Sequence, residues 1–193
     1  MAVRKEHAQA YVELRTEDPE ATSALAVARD RLSAGRDLVG LRRFRLFEIA
    51  GAAIDHATLA LRLHGSTQFY NPVRERCVVR TDSSEPVPAG DDEALVLVFE
   101  RDGERRAAAE RWWRHDGGQR VEIREGVVWA LRFAPGTDAT ARAGELAVTE
   151  GRARGLFANV NAEEYRVCAG SVPPLDWMTH RVPRSPRRGR RSP

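Results

Sequence analysis

The stretch Thr81 to Asp92 (TDSSEPVPAGDD) limits the possible folds more than any other feature of the sequence. Two prolines, a glycine, two serines and four acids leave it almost nothing to bury, so it reads as a solvated linker. It divides the chain into segments of similar length, and both segments show the same order of elements. A chain of 193 residues is long enough for either one or two domains. The repeated order favours two.

In the first segment, Ala8 to Leu14 (AQAYVEL) has the composition of a strand. Asp18 and Pro19 then form a helix start, an acceptor at the N-cap followed by proline at the first helical position. Ala21, Ala24, Leu25, Ala28 and Leu32 follow at helical spacing, and Gly35 marks a stop. Leu38 to Ile49 is rich in β-formers and long enough for a hairpin turning near Arg42 and Arg43. A second helix, from Ala52 to His64, and a strand from Glu75 to Arg80 complete the segment. Periodicity alone does not separate helix from strand over Ala57 to His64; the matching place in the second segment favours helix.

The second segment opens with Glu93 to Phe99 (EALVLVF), an apolar run suited to burial on both faces. An alanine-rich helix from Glu104 to His115 follows, ended by Gly117 and Gly118. Arg120 to Arg124 and Val127 to Phe133 flank Glu125 and Gly126, which predicts a hairpin turn. A helix from Ala139 to about Phe157 and a strand from Glu164 to Cys168 follow. Strand, helix, hairpin, helix, strand is the split βαβ arrangement. The expected fold class is therefore α+β: tandem ferredoxin-like βαββαβ units with helices on one face of antiparallel sheets. Residues 1–81 form the first unit, 82–92 the linker, 93–170 the second unit, and 171–193 a disordered Arg/Pro-rich tail. Asn71 and Asn159 each follow the second helix of their unit, and each precedes a glutamate by four positions, Glu75 and Glu163. That register supports duplication.

Charge narrows the partners. Residues 181–193 carry six arginines and no acid, so removing them from the net +3 leaves the rest near −3. A slightly acidic body without aromatic residues at sheet-face spacing argues against an RNA-binding sheet; only the tail could grip phosphates. Cys77 and Cys168 belong to no Cys-x-x-Cys pair and read as reduced, packed thiols. No apolar run approaches the roughly 18 residues of a membrane helix, and no signal-peptide core is visible, so a cytoplasmic location is expected.

The motifs of common catalysis are missing: there is no phosphate loop, dinucleotide fingerprint, nucleophile elbow or zinc-protease motif. His7, His56, His64, His115 and His180 share no ligand spacing, so neither a metal nor a cofactor is expected. The densest polar-aromatic cluster is His64, Gln68, Tyr70 and Asn71, in a loop of the kind that carries function; equally, Asn71-Pro72 could simply turn the chain over a packed Phe69. Trp112 and Trp113 read as one ring facing the sheet and one at a rim.

The end of the second unit, Leu156-Phe-Ala-Asn-Val-Asn-Ala-Glu-Glu-Tyr-Arg-Val167, resembles the ending of PurS, the small accessory subunit of phosphoribosylformylglycinamidine synthase. Phe69-Tyr-Asn-Pro-Val-Arg-Glu75 repeats the motif in the first unit, and Val121 to Leu131 resembles the PurS stretch in which a glycine separates two strands. PurS is usually a single unit that pairs with a second copy, whereas here both units share one chain. The first unit also inserts Gly65 to Gln68 where the family continues its helix. The resemblance implies a non-catalytic subunit bridging the synthetase and glutaminase components of an amidotransferase complex, in purine biosynthesis or a derived pathway. It implies a partner interface that includes Phe69, Tyr70, Asn71, Phe157 and Asn159. A fused pair would avoid the entropic cost of bringing two chains together, although a further homo-oligomer remains compatible. The alternative, from another class, is a small-molecule-sensing tandem resembling ACT domains.

Overall fold

The computed structural model describes residues 6–51, 54–101, 105–149, 155–169 and 173–179. Its elements are β1 (His7–Leu14), α1 (Pro19–Arg31), β2 (Leu38–Ala50), α2 (His56–His64), β3 (Glu75–Arg80), β4 (Glu93–Glu100), α3 (Ala107–Gly117), β5 (Glu122–Phe133), α4 (Ala139–Ala147) and β6 (Glu163–Ala169), with one 3-10 turn at Ser33–Gly35. The fold is α+β. Six strands form one antiparallel sheet in the order β3-β1-β2-β5-β4-β6.

Side-chain caps fix three helix starts, the first of them as the sequence implies. Asp18 accepts from the Glu20 and Ala21 amides ahead of Pro19; Asp55 and Asp138 cap α2 and α4 through the Thr58 and Ala141 amides. Ala57 to His64 is helical, with Leu59 and Leu63 buried. Gly118 closes α3 at φ 66°, the left-handed conformation glycine adopts freely.

Both expected hairpins are instead single long strands. Leu38–Ala50 runs straight through Arg42 and Arg43, which pair with Ala130 and Trp129 of β5. Two arginines among β-formers offer no residue for a tight turn, and a full-length partner strand holds the segment extended. Gly126 misled for a different reason. It pairs with Leu46 inside β5, where a Cβ would lie 3.0 Å from Leu97 Cδ1, 3.1 Å from the Val98 carbonyl oxygen and 3.2 Å from Met178 Sδ. The glycine serves close approach between neighbours rather than a turn. Each half is thus strand–helix–strand–helix–strand. The long β2 and β5 join the halves into one sheet.

The helices share one face and cross between halves. Helix α3 packs with α2 over β1 and β2, around Phe47, Phe69 and Trp113. Helix α1 lies against β2 and reaches, with α4, the cluster on β4 and β5 around Ala28, Leu38, Leu131 and Leu146. The opposite face carries Tyr11, Phe44, Leu46, Leu95, Leu97, Phe99 and Val128. Two irregular segments cover it: Val87 from the expected linker, and Trp177 and Met178 from the expected tail, the latter two 3% and 4% exposed. Pro173–Thr179 is therefore a packed strap rather than part of a tail; residues 180–193 lie outside the described residues. No helix among the described residues is long and apolar enough to cross a membrane.

Candidate functional site: two matching corners

The register of the ladders shows how far the halves repeat. Ala10 lies between Phe47 and Val79, and Val96 lies between Trp129 and Val167 in the same way. The loops before β3 and β6 then make one and the same turn. The Asn71 amide donates to Glu75 Oε2 (2.6 Å), and the Val73 amide donates to Asn71 Oδ1 (3.0 Å). The Arg74 and Glu75 amides donate to the Asn71 carbonyl oxygen. In the second half, the Asn159 amide donates to Glu163 Oε2 (2.7 Å) and the Asn161 amide to Asn159 Oδ1 (3.0 Å). The Ala162 and Glu163 amides donate to the Asn159 carbonyl oxygen.

A third residue completes each corner. Arg15, just beyond β1, donates its amide to the Arg74 carbonyl and its Nε to those of Pro72 and Glu75. Arg101, just beyond β4, donates its amide to the Ala162 carbonyl and its Nη2 to that of Val160. The Arg–Asn–Glu set thus satisfies the backbone of a tight loop twice, from the same relative positions. The Asn-x-x-x-Glu spacing was visible in the sequence. The arginines were not, because about sixty residues separate each from its loop.

The corners do not lie together. They precede β3 and β6, the two edges of the sheet, and because these two strands run in opposite directions the corners stand at diagonally opposite ends of it. Of the residues expected at an interface, Asn71 and Asn159 are exposed, and Tyr70 and Phe157 are half-buried. Phe69 is wholly buried, edge-on to Phe47 with centroids 5.4 Å apart, so it belongs to the core and offers no ring to a partner. Tyr70 hydroxyl lies 2.9 Å from His64 Nδ1. What each corner does present is an apolar tip: Val73 in the first half and Val160 in the second are 83% and 41% exposed.

The Asn side-chain oxygens, the Glu carboxylates and the Arg guanidiniums of the corners are engaged by the backbone of their own loops. Elsewhere, Cys77 and Cys168 are partly buried, and burial pushes both thiols up to about 12, far from nucleophilic thiolates. Among the described residues, no group of three or more His, Cys, Asp or Glu is placed to hold a metal ion. A cleft of about 640 Å³ opens where the β1–α1 loop meets Gly90–Glu93 and the first half of β2. Its arginines are largely neutralised: Arg42 Nη2 lies 2.6 Å from Glu93, Arg76 Nε 2.7 Å from Glu13, and Arg43 Nε 2.8 Å from Asp18.

Comparison with known proteins returns no match: no family model fits the chain, and neither a curated protein nor a solved structure matches it.

Proposed function

We propose that the chain is a non-catalytic, PurS-like subunit that bridges the synthetase and glutaminase components of a phosphoribosylformylglycinamidine synthase-type complex. The observation that carries this reading is the corner built twice, Arg15–Asn71–Glu75 and Arg101–Asn159–Glu163, on the residues through which the sequence resembles the family. Each half is read as a shortened relative of the ferredoxin-like unit, with one long strand in place of a hairpin. Two halves sharing one sheet would do the work of a paired small subunit. A scaffold of this kind needs rigid, repeated surfaces and no reactive group, and the corners fit that requirement.

The test is co-purification from the native cell. The protein alone should hydrolyse neither ATP nor glutamine. Tagged protein should retain a synthetase-type partner, and changing Tyr70 and Asn71 together to alanine should weaken retention while leaving the fold cooperative. Recovery of no synthetase would overturn the reading. The charged cleft favours one alternative, a small-ligand sensor, since Arg15 and Arg132 line it without an acidic partner among the described residues. Under that reading an anionic metabolite, rather than a protein, would raise the melting temperature.

A further inference from the structure

The repeat breaks on the helix face, and the break leaves a groove. In the first half, Phe47 and Phe69 form an edge-on pair and both are wholly buried. What buries them is α3: the rings of Trp112 and Trp113 stand 5.8 Å and 6.1 Å from Phe69, each edge-on. In the second half the matching pair is Trp129 and Phe157, stacked with centroids 4.8 Å apart, and both remain half-buried. The matching helix is α1. Aligning the inward positions of the two helices, Ala24, Leu25 and Ala28 of α1 against Ala109, Glu110 and Trp113 of α3, sets Val27 and Ala28 opposite Trp112 and Trp113.

A helical side chain covers the surface one turn towards the N-terminus of its own Cα. Where the two tryptophans shield that surface in the first half, valine and alanine leave it open in the second. The result is an open groove of about 400 Å³ between Pro19, Glu20, Ser23 and Ala24 on one side and Trp129, Leu156 and Phe157 on the other, with Arg43, ion-paired to Glu20, 5.9 Å from the Trp129 ring at its edge. Volumes from about 300 Å³ upward are those of small-ligand sites.

Residues 1–5, 52–53, 102–104, 150–154, 170–172 and 180–193 contain no Phe, Tyr or Trp. We infer that the groove beside Trp129 and Phe157 receives a tryptophan side chain from a partner protein, which completes in trans the aromatic cluster that Trp112 and Trp113 complete in cis. The inference deepens the scaffold reading above and rests on it for the identity of the partner, since Phe157 belongs to the same loop as the second corner. Edge-on and stacked aromatic contacts give such an anchor geometry as well as buried area, and tryptophan is enriched among residues that dominate interfaces.

The probe is N-acetyl-tryptophanamide, titrated into the full chain while the Trp129 indole N–H signal is followed by NMR and identified by its loss in Trp129→Phe. A saturable shift is expected, at least tenfold stronger in apparent affinity than that of N-acetyl-leucinamide. Val27→Trp places an indole at the position of Trp112, on a site that is 39% exposed and so has room for it. That variant should fill the groove, raise the melting temperature and weaken the probe at least tenfold. Ser23→Phe, from the groove wall, should do the same by a second route. A Trp129 signal that does not move at millimolar probe, or moves equally in both variants, overturns the groove. If the probe binds as expected and no synthetase co-purifies, the groove stands and the PurS-like reading falls. If a synthetase co-purifies equally well with Val27→Trp, the groove is not its contact and the inference fails while the scaffold reading survives.

Discussion

At one position in the sheet the two halves carry opposite chemistry. Gln9 of β1 lies between Glu48 and Arg80, and Leu95 of β4 lies between Ala130 and Cys168 in the same register. Gln9, Glu48 and Arg80 are all essentially inaccessible to solvent. Arg80 is satisfied by oxygen atoms alone: Nη1 donates to Gln9 Oε1 (2.8 Å) and the Pro173 carbonyl, Nε to the Glu85 carbonyl (2.8 Å), and Nη2 to the Ser83 carbonyl (3.0 Å). Gln9 Nε2 donates to the Pro174 carbonyl, while Glu48 accepts from the Met178 amide (2.7 Å) and the Thr179 hydroxyl (2.8 Å). The partners on the covering side come from the segment after β3 and from the strap. An apolar face tolerates a cover that slides along it, because dispersion and burial have little direction. A face of buried donors and acceptors does not, since each slip strands a group at roughly 1–3 kcal/mol. The first half thus supplies the buried polar groups that fix the covering segments, joined from the second half by Arg166, which donates to the Trp177 and Met178 carbonyls, while Leu95, Leu97, Phe99 and Val128 of the second half supply much of the apolar area they cover.

The largest effect should come from removing the strap. Ending the chain at residue 172 exposes the surface under Trp177 and Met178 and leaves Glu48 without its two donors. Burial of a tryptophan alone is worth about 5 kcal/mol at its usual area. Urea unfolding should show a loss of at least that order; a stable truncated protein would mean the polar triad closes on itself. Next is Arg80→Met, which leaves three carbonyl oxygens without their donor and Gln9 Oε1 with the Tyr11 hydroxyl alone. A loss of roughly 4 kcal/mol is expected, against about 1 kcal/mol for Cys168→Ala at the matching apolar position. Equal losses would erase the contrast between the halves.

Third is pH. Burial raises the Glu48 carboxyl from about 4.5 to about 6, so the folded state holds its proton more tightly than the unfolded chain. The stability this contributes is complete below about 4.5 and disappears as pH rises through about 6. Across that window the unfolding free energy should fall by about 2 kcal/mol. In Glu48→Gln that slope should be absent.

The parts that the sequence made legible were those set by local chemistry. Asp18-Pro19 announced a helix start, and Asp18 does cap α1; Asp55 and Asp138 cap their helices in the same way. Asn71 and Asn159 announced a repeated turn, because an Asx turn and its glutamate are written within five residues. What the sequence concealed depends on remote neighbours. Gly126 looks like a turn until Leu97, Val98 and Met178 close on it. Arg80 and Glu48 look like surface charges on alternating strands until the strap covers them. Trp177 stands in a stretch of low apolar content, and only the third dimension shows that its ring is needed to close the sheet's second face. The crossing of α1 and α3 between halves left no sequence signal, since an amphipathic helix does not say which strands it covers.

The smallest expected effects lie in the corners, and they test the repeat most directly. Asn71→Ala and Asn159→Ala each remove one acceptor, for the Val73 and Asn161 amides respectively. The loops are exposed, so water replaces part of what is lost, and about 1 kcal/mol is expected at each. The sites are too far apart to share partners, so the double variant should lose the sum within about 0.5 kcal/mol. The glutamates should differ. Glu163 serves the Asn159 amide, whereas Glu75 serves the Asn71 amide and also takes Arg45 Nη2 at 2.9 Å, which further donates to the Phe69 carbonyl. Glu75→Gln should therefore cost more than Glu163→Gln, by a few tenths to about 1 kcal/mol for the half-exposed pair. If the asparagine variants match and the glutamate variants diverge in that direction, the corners are one backbone device with an ion pair added to the first. If Asn71→Ala and Asn159→Ala differ by more than about 1 kcal/mol, the two turns do unequal work, and the repeat is a likeness of geometry without a likeness of energetics.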